Sequence, residues 1–305
     1  MSTLPVIAAV DGSDDSLRAL EWAFDAARMR GAPLCVVHVR QYAPWATPEV
    51  LPASPPEPDE DPVLQQVRTR LESRAERPAT EYAVLEGAPA AVLPELGSAA
   101  QLLVLGSRGR GGFASLLLGS NSMAAARDAE CPVVVVPRPG RQVDANGPAE
   151  PGPRVVVGLH VDGPDEASLA FAFAEAARRA ARVQVVAAYA WPLQMWAVPG
   201  DFITTSTVDQ EAIETSTRTL ADGFVGPHRE RHPDVRVEVQ VPPGDAAGHL
   251  VAASQDADLV VVGRHRRRLL APIRMIGSVT QAVLLHAASP VAVVPPGGEP
   301  TGEES

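Results

Sequence analysis

The sequence predicts an α/β protein made of two tandem doubly wound domains, each a five-stranded parallel sheet flanked by helices. Three observations carry this expectation. Short apolar runs alternate with helical segments, a stretch rich in proline and glycine falls near the middle of the chain, and the same order of elements restarts after it.

The first unit opens with the apolar run Leu4 to Val10, read as a strand. Asp11-Gly12-Ser13-Asp14-Asp15-Ser16 makes a turn, and a helix follows from about Leu17 to Arg30. Leu20, Ala23, Phe24 and Ala27 fall three and four apart, so they form one apolar stripe. Asp14 and Asp15 read as helix-start residues, favoured near the positive end of the peptide dipoles. Pro33 to Val39 gives the second strand. Gln41 to Asp61, rich in proline and acidic residues and without hydrophobic period, reads as a long exposed loop.

A helix from about Pro62 to Glu76 comes next, then a strand from about Thr80 to Leu85 and a helix from about Pro89 to Gly97. Leu102 to Leu105 is a fourth strand, Asn121 to Asp128 a helix, and Cys131 to Val136 a fifth strand. Parallel strands joined by helices require right-handed crossovers, and such sheets bind ligands beyond the carboxyl ends of their strands. Asp11, Val39 and Gly106 end three of these strands and are expected to meet at that edge.

Arg138 to Pro153 has the composition of a linker. Beyond it Arg154 to Leu159 matches Pro5 to Val10, Ala176-Ala177-Arg178 matches Ala26-Ala27-Arg28, and Ala257 to Gly263 matches Ala100 to Gly106. Ser289 to Pro295 matches Cys131 to Pro137. The domains are therefore expected at 1–139 and 154–296, with a linker at 140–153 and a disordered tail at 297–305.

Composition narrows the function classes. Of 305 residues 46% are hydrophobic and 4% aromatic, so the core is built from Ala, Val and Leu. A net charge of -11 argues against general affinity for nucleic acid or anionic membrane. The chain has no lysine, and all 26 basic residues are arginine, which excludes a P-loop lysine and a Schiff-base lysine. Cys35 and Cys131 lie beside valine runs and read as small buried hydrophobes. With no signal peptide and no apolar run of membrane length, a cytoplasmic location is expected.

The stretch Gly106 to Ser120 carries the candidate chemistry. Glycines at 106, 109, 111 and 112 allow close backbone approach to a ligand, and the following helix offers amide donors and partial positive charge. Ser120 can cap that helix or bond a phosphate oxygen. Gly106, two residues, Gly109, nine residues, then Gly119-Ser120 resembles the ATP-binding signature of the universal stress protein family. The opening Val-Asp-Gly-Ser, His38-Val39 and the closing Cys-Pro-Val-Val-Val-Val extend the resemblance to a tandem member of that family over nearly the whole chain.

The resemblance implies a strand order of 3-2-1-4-5 in each domain and pairing through the last strands, which a tandem chain can make internally; a homodimer is also open. It implies that Asp11 meets the adenosine and that the Val39 backbone meets adenine. Gly106, Gly109, Gly119 and Ser120 then surround ribose and phosphates, with the amide of Asn121 close by. Arg108 and Arg110 either offset phosphate charge or are solvated loop residues. The ligand implied is ATP, with any Mg2+ held mainly by phosphates and water, since no dedicated metal cage is visible.

The second copy departs from this pattern. His160 replaces Asp11, with Asp162 two residues on, Arg266 replaces Gly109, and Gly277-Ser278 comes one residue late. Gly263, Gly277 and Ser278 still frame a strand and a helix mouth. Arg264, Arg266, Arg267 and Arg268 make the loop either a repurposed anion site or a degenerate pocket with a solvated basic loop. His228 and His232 could share a helix face as metal ligands, but no third ligand is evident. Trp191, Met195 and Trp196 either cover an adenine edge or pack between domains.

Three functions fit. The first is an adenine-nucleotide-binding stress-response protein acting as sensor or regulator, with its intact site in the first domain. The second is a weak ATPase, for which the sequence names no catalytic base beyond Asp11. The third is a partner-binding protein with vestigial nucleotide sites.

Overall fold

The computed structural model describes residues 3–41, 58–74, 76–109, 117–141, 152–190, 210–264 and 276–297. Expectations for Arg110, Gly111, Gly112, Trp191, Met195, Trp196, Arg266, Arg267 and Arg268 lie outside them, as do those for most of the linker, the tail and the proline-rich loop.

The first half runs β1 (Val6–Ala9), α1 (Asp14–Arg30), β2 (Leu34–Arg40), α2 (Pro62–Glu72), β3 (Thr80–Glu86), α3 (Pro89–Glu95), β4 (Leu102–Gly106), α4 (Ser120–Asp128) and β5 (Val133–Val136). The second half repeats it as β6 (Arg154–Gly158), α5 (Glu166–Arg179), β7 (Arg182–Val186), α6 (Gln210–Arg231), β8 (Val237–Gln240), α7 (Ala246–Ala253), β9 (Leu259–Gly263), α8 (Ser278–His286) and β10 (Val291–Val294). Strands within each half are parallel.

The halves join into one ten-stranded sheet of order β3-β2-β1-β4-β5-β10-β9-β6-β7-β8. At the seam β5 and β10 pair antiparallel, with Ala292 opposite Val134. Each closing valine run thus fills the other's open edge, which removes two unpaired strand edges from solvent. The order 3-2-1-4-5 holds in both halves.

Helix α1 follows from its sequence. Ser13 caps it by accepting from the Ser16 amide, and Gly31 ends it in the left-handed region at φ 60°. Leu20, Ala23, Phe24 and Ala27 are buried, as the apolar stripe requires. Helix α5 is one turn shorter, 14 residues against 17. Its left-handed cap is Ala180 at φ 49°, and Ala181 donates to Ala176 as Ala32 donates to Ala27. The equivalence is therefore Ala176 with Ala27, one residue away from the sequence match of Ala176 with Ala26. The identical Ala-Ala-Arg triplets misled because the missing turn lies at the start of α5, while both helices are anchored at their ends.

Two further expectations are corrected. Asp15 is more than a helix-start residue: it is 1% exposed, and Arg138 Nε bonds its two carboxylate oxygens at 2.8 and 3.1 Å. Arg18 and the Ser107 hydroxyl also reach it. Asp61, at the end of the presumed exposed loop, is fully buried. It caps α2 through the amides of Val63 and Leu64 and bonds His38 Nδ1 at 3.0 Å.

The halves also meet through helices. Arg30 at the end of α1 reaches Glu175 of α5 at 2.6 Å, with both side chains almost fully buried. Arg178 and Arg179 bond the same carboxylate, and Arg179 lies over the Trp22 ring at 4.9 Å.

Candidate functional site

Strands β1 and β4 are neighbours, and β1 is the point from which the chain order runs outward in both directions. A cleft opens at their carboxyl ends. Asp11, Val39, Gly106, Arg108, Gly109 and Asn121 all line it, and Leu93 of α3 adds an apolar wall. The volume these residues enclose is about 80 Å³, less than the range of about 300–1,000 Å³ usual for whole small-molecule sites. Gly119 and Ser120 stand at the start of α4, beside these residues.

The turn after β1 fixes Asp11. Gly12 takes φ 77°, a conformation open to glycine, and the chain doubles back so that the Ser13 amide and hydroxyl donate to Asp11 Oδ1 at 3.0 and 2.6 Å. Its Oδ2 lies over Gly109: a Cβ built there would sit 2.5 Å away. Any side chain at 109 would displace the carboxylate.

Gly106 is needed for a different reason from the one its motif suggests. A Cβ there would lie 2.6 Å from the Asp15 backbone, so its absence lets the first turn of α1 pack onto β4. Gly119 has room for a Cβ, with its nearest neighbours at 3.5 Å or more. Its amide donates to Ser107 O at 2.7 Å, which closes the base of the loop. Gly119, not Ser120, is the N-cap of α4, and no side chain caps that end. Ser120 is the first helical residue, so its hydroxyl does not fill the capping role. The amides of Ser120 and Asn121 precede the first intrahelical bond, from Met123 to Gly119.

A residue that motif reading missed ties this helix to the sheet. The buried Ser122 donates to the Gly106 carbonyl at 2.7 Å, and Thr280 makes the same bond to Gly263 at 2.8 Å. Their shared hydroxyl, two residues after each Gly-Ser pair, was the available signal.

In the second half Gly263 ends β9, and Gly277 and Ser278 begin α8 as Gly119 and Ser120 begin α4. Because α5 lacks the first turn of α1, the Asp165 carboxylate stands over Gly263, 2.4 Å from a built Cβ. His160 and Asp162 are exposed. Among the described residues no group of three His, Cys, Asp or Glu side chains could hold a metal ion. His228 is buried against Phe173, ring centroids 5.1 Å apart, with Nε2 3.1 Å from Glu166.

Burial raises the thiols of Cys35 and Cys131, the latter to about 11, so neither is a nucleophile near neutral pH. No described helix is long and apolar enough to cross a membrane.

The fold and cleft define a tandem doubly wound protein with a cleft at the switch point of its first half. The chain belongs to the universal stress protein family: that family's model matches residues 4–137 and again 154–295. It is 36% identical to universal stress protein Rv2005c of Mycobacterium tuberculosis over 94% of this chain and 96% of the relative. It is 31% identical to universal stress protein Rv2623 of the same organism over 96% of each. A solved universal stress protein from Archaeoglobus fulgidus shares the fold, with a TM-score of 0.66 at 18% identity, covering 96% of this chain and 98% of that one.

Proposed function

We propose that the first half binds an adenine nucleotide, ATP by preference, and that the chain serves as a stress-response sensor or regulator through that binding. One observation carries the reading: a carboxylate at the end of β1 and the open first turn of a nine-residue helix border the same cleft. A fixed carboxylate accepts hydrogen bonds from ribose hydroxyls, and first-turn amides suit phosphate oxygens. The apolar wall of Leu93 and Val39 suits the adenine face, with the Val39 backbone available to its edge. The phosphates meet amides and Arg108 instead of a lysine, which favours holding the nucleotide over transferring its phosphoryl group. Bound nucleotide would bring any Mg2+ with it.

The second site is read as degenerate. The Asp165 carboxylate over Gly263 and the exposed His160 in place of Asp11 both favour this. Nucleotide binding then biases the conformation or partner of the whole chain from one half.

Titration calorimetry with ATP tests the reading, together with mass spectrometry of small molecules released from the purified protein. Heat of binding that is lost in Gly119→Val and Asp11→Ala supports it. No heat and no co-purified nucleotide in the wild type would leave the partner-binding reading. Steady ADP release, abolished in both variants, would make the protein an ATPase.

A further inference from the structure

Each helix that opens on a Gly-Ser pair ends against a guanidinium from across the seam. Arg264, the residue after Gly263, donates through Nη1 to Arg127 O at 2.6 Å and to Ala129 O at 2.9 Å, the closing carbonyls of α4. Arg141, which follows β5, donates through Nη1 to Ala287 O at 2.9 Å, the C-cap of α8. Its other arm, Nη2, donates to Leu117 O at 2.8 Å. Leu117 lies two residues before Gly119, on the approach to the mouth of α4.

We propose that Arg141 is a positioning residue for the phosphate end of the first site, holding the Leu117 carbonyl in place by bracing it against the second half. A planar guanidinium is suited to this, because its donors diverge in a fixed fork and one side chain can span two carbonyls from separate elements. The segment at Leu117 leads directly to the Gly119 amide, which closes the loop on Ser107 O at 2.7 Å. With both ends of that segment pinned, the first-turn amides of α4 are presented in one arrangement before ligand arrives, and binding is spared the cost of ordering them. The second half, with its own site altered, then contributes to nucleotide affinity as the abutment for Arg141. Arg264 clamps the far end of the same helix, which makes it the natural control.

The inference rests on the first half binding nucleotide, but its structural part is measurable without ligand. In full-length, nucleotide-free Arg141→Ala, hydrogen exchange of the Gly119 amide should speed up about tenfold, the scale of one lost charge-assisted hydrogen bond. In the same variant the ATP dissociation constant should rise about tenfold while that for adenosine stays at the wild-type value. Arg141→Lys, which can reach one carbonyl only, should fall between. Arg264→Ala should leave both the Gly119 exchange rate and the ratio of ATP to adenosine affinity unchanged. Unchanged Gly119 exchange in Arg141→Ala overturns the proposal, and so does an equal change in Arg264→Ala, which would mark a general loosening of the seam. If the wild type binds no ATP, the proposed function fails by itself, and the exchange measurement still decides whether Arg141 holds the loop.

Discussion

The Asp11 carboxylate lies directly over the α-carbon of Gly109, so close that a methyl group on Gly109 would stand 2.5 Å from Oδ2. The two residues are 98 positions apart in sequence and follow different strands, β1 and β4. Their contact makes glycine at 109 a condition for where the carboxylate sits, and this suggests a substitution that disturbs the site while sparing the core. Gly109→Ala meets only the end of a short side chain, so unfolding free energy should change by about 0.5 kcal/mol or less. Affinity for adenosine and for ATP should fall by about tenfold, as expected when a charged acceptor is displaced. Calorimetry on both ligands, beside a urea titration, checks the pair of outcomes.

Glu175 and Arg30 form the buried ion pair between α1 and α5. Burial pushes the Arg30 guanidinium below its ordinary value, while Glu175 opposes that shift. Removing one partner strands the other: Glu175→Ala should cost about 3–5 kcal/mol in urea denaturation. The double variant Arg30→Met with Glu175→Leu should lose less than this single change, because Arg30 is no longer left buried without its acceptor, while Arg178 and Arg179 lose the shared carboxylate in both.

Asp61 makes a prediction about acid. Burial would raise its carboxyl, but the Leu64 amide, the His38 ring and the Val63 amide together hold it below the usual carboxylate value. A depressed folded pKa adds stability above the unfolded value of about 3.9, and that stability is lost as pH falls through the folded pKa. Asp61→Asn should therefore be less stable than wild type at pH 7, with the gap narrowing below about pH 4. Urea midpoints at pH 7 and pH 3 measure the two gaps.

Ala180 ends α5 in the left-handed region where α1 uses Gly31. That conformation costs a residue with a β-carbon about 1–2 kcal/mol, and the greater freedom of glycine in the unfolded chain returns about 0.5–1 kcal/mol of it. Ala180→Gly should stabilise the protein by about 0.5–1 kcal/mol, read as a rise in its thermal midpoint. A lowered midpoint would contradict this account of the cap.

Alternation of apolar runs with amphipathic helices determined the fold class from the sequence alone, because period and burial are local consequences of side-chain pattern. The restart at Arg154 and the repeated valine runs likewise made the duplication legible. Strand ends at Asp11, Val39 and Gly106 pointed to one edge of the sheet, and these residues do line one cleft. What the sequence could not contain was which groups touch across the fold. Glycine spacing marked 106 and 109 alike, yet one admits a helix and the other a carboxylate. Asp15 reads as a helix-start residue and Asp61 as the end of an exposed loop, whereas Arg138 and His38 enclose them in the fold. The Arg141 bridge joins residues that only the pairing of β5 with β10 brings near. Patterns along the chain reveal what each segment buries, whereas the partner of a buried charge depends on packing between segments remote in sequence, and so the tertiary structure alone decided it.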